Sequence, residues 1–310
     1  MNRNALGSER RNVAALICAA LALALSNGSA RADAAQPYGQ VATLPDPYHE
    51  LETKYLFGFT EGADIGAEGE QSVEFETTTT FGRRGGSYGA VEQEIEYEGV
   101  PSQFFGFELS AHGFGDSLRN VDGIANASGV NFMGLSTELR YLVIGRGPES
   151  PFGLTLVAEP EWDRIDSDGR PAVDLSTTFR AIVDTELVPN RVYGAINLTY
   201  APDYAQSPGQ PWQESSTWVA SAAVAARVAP KVTLGGEAEV FGAYDSFGFQ
   251  SFQGEALYLG PTLQIQFTGK IMLAAAWSSE VAGHANGERY GLDLTNFPQQ
   301  RGNLKLEFEF

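Results

Sequence analysis

The chain contains a single cysteine, Cys18, among 310 residues, so it offers neither a disulfide framework nor a cysteine metal cluster. Basic residues are scarce as well: 20 lysines and arginines stand against 39 aspartates and glutamates, a formal charge of −19. So acidic a chain lacks the basic footprint that nucleic acids require. The three histidines, His49, His112 and His284, form no H-x-x-x-H or H-E-x-x-H spacing for a metal. Beyond residue 25 no apolar run is long enough for a membrane-spanning helix. That last absence excludes helices only, because strands cross a bilayer under a different pattern.

What is present begins with Arg3, Arg10 and Arg11, the apolar run "VAALICAALALAL" (13–25) and the small residues of "SARADAA". This layout predicts a secretory signal peptide over 1–34, cleaved after Ala32 or Ala34. Leu16 and Ile17 before Cys18 do not make a lipoprotein site, and the cysteine leaves with the leader. Cleavage after Ala32 removes four arginines and one glutamate, which takes the formal charge from −19 to −22.

From residue 71 onward the sequence repeats one pattern. In "SVEFETTTTF" Val73, Phe75 and Phe81 share a face opposite Glu74 and Glu76; in "VEQEIEYE" Val91, Ile95 and Tyr97 oppose four glutamates. "FFGFELSAH", "LSTELRYLV", "LTLVAEPEW", "LSTTFRAIVD", "VYGAINLTY", "WVASAAVAARV", "VTLGGEAEV", "LYLGPTLQIQF", "IMLAAAW" and "LKLEFEF" continue the series. Alternation over about ten residues is the barrel-strand signature. It predicts an all-β fold: a closed transmembrane antiparallel β-barrel of about twelve strands over 71–310. "WVASAAVAARV" is the ambiguous member, since alanines suit a helix. Short inner turns are expected at 99–102, 146–151, 189–190, 229–231 and 268–270. Longer outer loops are expected at 113–131, 163–172, 201–215, 244–253 and 279–302, with a shorter one at 83–88. A soluble sandwich also alternates, but it buries its apolar faces and rarely uses long hairpins throughout.

The sequence closes on "GNLKLEFEF", with Leu304, Leu306, Phe308 and Phe310 alternating with charged residues. A last strand of this kind leaves an exposed edge unless closure removes it. It resembles the final strand of outer-membrane β-barrel proteins, which ends in Phe and is read by the assembly machinery. Phe308 and Phe310 are therefore the candidate assembly signal, with Lys305 where that pattern often has glycine. "LFGFTEGADIGAEGEQSVEFE" resembles the start of a family of uncharacterised proteobacterial outer-membrane proteins. Together the resemblances imply the outer membrane of a Gram-negative cell. The implied partners are membrane lipid, lipopolysaccharide and the assembly machinery, and no nucleic acid.

If the apolar faces meet lipid, the acids point inward. Candidate lumen-lining residues are Glu92, Glu94, Glu96, Glu108, Glu138, Glu159, Glu237 and Glu239, with Arg140, Arg180 and Arg227 as counter-charges. With Lys305 as a fourth cation, fifteen inward acids in all leave eleven unpaired, and buried unpaired charge is costly. Such a lumen must hold water, cations or a basic segment. The leading expectation is a passive pore for small solutes with cation preference. The alternative is a non-conducting structural or surface-interaction barrel, and the third reading is a lipid-modifying barrel enzyme. Hydrolysis needs a serine within reach of a histidine and an orienting acid. Ser110 and His112, two apart on one strand, face the same way without touching well, so neither catalysis nor a cofactor is expected. The acidic stretch "EGADIGAEGE" (61–70) lacks the oxygen-ligand spacing of a calcium loop. Residues 35–70 form either a periplasmic leader or a lumen-facing segment, and the cluster Tyr55, Phe57 and Phe59 packs at the barrel mouth or inside it.

Overall fold

A computed structural model describes residues 51–147, 150–166 and 169–310. The expected signal peptide, Cys18 and residues 35–50 lie outside the described residues. Among those described, twelve strands follow one another: β1 Gln71–Phe81, β2 Ser87–Ser102, β3 Phe105–Arg119, β4 Ala127–Ile144, β5 Phe152–Ile165 and β6 Pro171–Val188 come first. Then come β7 Val192–Gln206, β8 Gln213–Ala229, β9 Val232–Tyr244, β10 Phe252–Thr268, β11 Ile271–Ala285 and β12 Gln300–Glu309. Each pairs antiparallel with its neighbours in sequence, and β12 returns to β1, so the sheet closes on itself.

The closing seam runs from Ser72 opposite Glu309 to Phe81 opposite Gln300. Phe75 meets Phe308 edge to face at 6.3 Å on its outward side, and Phe81 stacks on Trp277 at 6.0 Å. Aromatic cross-strand pairs of this kind help fix a register that a slip of one residue would invert. The Phe310 amide donates to the Gln71 carbonyl at 3.0 Å, so pairing continues to the last residue.

Burial is reversed relative to a soluble domain. Ile95, Tyr141, Phe179 and Leu198 are 48–60% exposed on the outward face, while Glu74, Glu96, Glu98 and Glu138 are at most 7% exposed on the inward one. An apolar band of that extent fits lipid and not water. β8 is a strand despite its alanines. Propensity yields there to ladder bonds with β7 and β9 on both sides.

The long outer loops are a correction. Strands run through most of them, leaving connections at 82–86, 120–126, 166–170, 207–212, 245–251 and 286–299. Only the last is long, and the inner connection at 145–151 exceeds the outer one at 82–86. The cause is physical. Hairpins that continue past the hydrocarbon no longer need an apolar outer face, so the alternation fades while backbone pairing continues.

Candidate functional site

The inward wall encloses a stretch of the chain itself. Thr53, Lys54, Leu56, Phe57 and Thr60 are no more than 1% exposed. The stretch doubles back as a tight loop. The Leu56 amide donates to the Thr53 carbonyl, the Gly62 amide to the Lys54 carbonyl, and Phe57 bridges Thr60 at the tip. Gly58 turns that tip with φ +85°, and a Cβ there would stand 2.7 Å from the Ala276 Cβ and 2.8 Å from Glu237 Oε1. Only glycine satisfies both the left-handed backbone and the close wall.

Ion pairs of both senses seat the loop on neighbouring strands of the wall. Lys54 Nζ lies 2.7 Å from Glu98 Oε2 on β2 and also donates to Glu108 on β3. Glu138 stands opposite Glu108 on β4, and there Arg140 Nη1 lies 2.7 Å from Glu61 Oε2 and 2.8 Å from Glu138 Oε1, while Arg180 on β6 also pairs with Glu61. Arg146, in the 145–151 turn, holds Asp64 at 3.2 Å and Asp184 at 2.6 Å. Backbone groups are satisfied in the same way. The Phe59 and Thr60 amides donate to Glu237 at 3.3 and 2.8 Å, and Asn197 exchanges two hydrogen bonds with Glu61 at 2.7 and 2.9 Å. Leu56 and Phe57 pack on Tyr193, Ala195, Ala223 and Ala225. The small inward residues of β7 and β8 leave the volume that the Phe57 ring fills.

The remaining lining candidates lie elsewhere on the wall. Glu92 and Glu94 flank His112 at 3.3 and 3.7 Å, and His112 Nε2 meets the Ser136 hydroxyl at 3.1 Å. Ser110 turns instead to Glu96 at 3.3 Å. Two carboxylates therefore lie against one imidazole. Glu159 lies 3.7 Å from Arg180, Glu239 lies 3.1 Å from Arg301, and Arg227 is buried on β8. Glu96 joins Glu98 and Glu108 in one carboxylate group. At the outer end Tyr88, Ala90, Phe114, Leu118, Val121 and Ile165 form an apolar inner cluster.

Three cations in the lumen escaped the sequence reading: Lys54, Arg146 and Arg301. Arg301 also lies 4.1 Å over the Phe59 ring. Lys54 falls before the first strand and Arg146 in a turn, where no alternation assigns a side. Arg301 was legible in principle, because it shares parity with Asn303, Lys305 and Glu307 on β12.

Comparison with known proteins adds a family and a fold. Residues 49–310 match the model of a "Family of unknown function (DUF6662)". A search of curated proteins returned no match. Among solved structures, the COG4313 outer membrane channel from Pseudomonas putida F1 superposes with a TM-score of 0.51 at 14% identity, over 80% of this chain and 98% of that one. The beta domain of the Bordetella autotransporter BrkA gives 0.50 at 10% identity, over 78% and 100%. At these identities the likeness is one of fold, that of a bacterial outer-membrane β-barrel.

Proposed function

The chain belongs to the DUF6662 family, whose function is unknown, and we propose that it is an outer-membrane channel for small solutes, closed in this state by its own residues 51–64. The observation that carries this reading is the chemistry of the seat. The loop is held mainly by ion pairs and hydrogen bonds, from Lys54 to Glu98 and from Glu61 to Arg140. Water and solute ions can replace such contacts, whereas a permanent filler is better served by apolar packing. The wall beyond the loop supports cation preference. Glu92, Glu94 and Glu159 keep 35, 17 and 21% of their side-chain surface exposed, and acid-lined pores favour cations.

A second reading, a non-conducting barrel, is favoured by Leu56 and Phe57, which bury 99% or more of their surface against β7 and β8. Planar-bilayer recordings separate the two. The chain without residues 1–34 should conduct rarely, and further deletion of 51–64 should give steady conductance with cation-selective reversal potentials. A well-folded deletion variant that stays silent overturns the channel and leaves the structural barrel.

A further inference from the structure

The seat of Lys54 has the composition of a metal site. Glu98 and Glu108 stand directly opposite each other on β2 and β3, and Glu96 lies on the same face one inward position along. One carboxylate oxygen from each falls within 4.8 Å of the others, and the three residues are only 5–7% exposed. Directly opposed like charges destabilise a sheet unless something sits between them. Here that something is one ammonium, which pairs directly with Glu98 and Glu108 and leaves Glu96 without a direct cationic partner among the described residues. Glu96 makes no ion pair among the described residues, and its Oε1 has no hydrogen-bond partner despite 7% exposure.

We propose that Glu96, Glu98 and Glu108 form a divalent-cation site of the calcium type, for which Lys54 is the tethered competitor. The donors are all carboxylate oxygens, the ligand class of hard cations. Their spacing falls within the roughly 4.6–5.2 Å that two opposite calcium ligands span, taking about 2.3–2.6 Å per bond. Ser110 donates to Glu96 at 3.3 Å and Ser72 to Glu98 at 3.4 Å, orienting the carboxylates from behind. Two positive charges compensate three acids better than one does. The proposal rests on the loop being a displaceable occupant. By linkage, a cation that evicts Lys54 loosens the loop, and the loop weakens the cation by the same factor.

Calorimetric titration of calcium into the refolded chain without residues 1–34 tests the site apart from conduction. Lys54→Met should bind calcium saturably, one per chain, at least tenfold tighter than the unmutated protein and with a dissociation constant of about 0.1–1 mM. Adding Glu98→Gln should abolish that binding. Folded Lys54→Met with no saturable heat, or binding unchanged by Glu98→Gln, overturns the site. Should Lys54→Met not refold, the unmutated protein decides. Calcium should quicken trypsin cleavage at Lys54, judged against an unstructured peptide cleaved in parallel, and equal protection with and without calcium overturns the proposal. Calcium binding by a barrel that stays silent in bilayers keeps the site and discards the channel; conduction without binding does the reverse.

Discussion

At the residue scale, Glu61 ties the loop to one arc of the wall, from β4 to β7. Its carboxylate is shared by Arg140 and Arg180, its amide donates to Asn197, and its carbonyl accepts from Asn197. Arg140 is 1% exposed, so it depends on these partners. Glu61→Gln leaves the two guanidinium groups sharing fewer carboxylates. Removing one member of a buried pair costs about 3–5 kcal/mol. The expected outcome is a loop that opens far more often, while the barrel keeps its strand content. Trypsin reads this directly, since the Lys54–Tyr55 bond is buried in the seated state. Cleavage there should quicken at least tenfold, and an unchanged rate would show that the ion pairs do not hold the loop.

At the element scale, the seam between β1 and β12 decides whether any edge remains. Ten residue pairs join them, and the Phe310 amide adds a further bond to Gln71. Phe310 itself is 64% exposed, so its side chain contributes little to packing. We propose that its value lies in recognition during assembly, from its place on the closing strand. Phe310→Asp should therefore lower outer-membrane abundance several-fold while leaving the detergent-refolded barrel heat-modifiable on gels. Normal abundance in cells would remove the role. The strands themselves were legible, because alternation is imposed wherever lipid and lumen face one another across a single sheet. Their outer ends were not. Segments such as "GFGDSLRNVDGIANASGVN" carry no contrast between faces, yet β3 and β4 pair through them as far as Leu118 and Ala127.

At the scale of the whole molecule, net charge and closure act together. A lumen with excess acids attracts cations, and salt screens that attraction. The screening length shortens from about 30 Å at 0.01 M to about 3 Å at 1 M. In the variant lacking 51–64, reversal potentials should show cation preference at low salt that fades as salt rises. Replacing Glu92 and Glu94 by Gln should reduce the low-salt preference without altering the outward face. Equal cation and anion permeability at low salt, before any substitution, would discard the acidic filter. The sequence alone determined the all-β class, the twelve strands, the inward side of the acids and the closure against β1. Each follows from a two-residue period read along the chain, together with the cost of an open edge in lipid. Where residues 51–64 lie was decided only in three dimensions. Lys54 meets Glu108, Glu61 meets Arg140 and Thr60 meets Glu237 across 54, 79 and 177 positions, respectively. Pairings at that range depend on barrel radius and strand register, and a local pattern encodes neither.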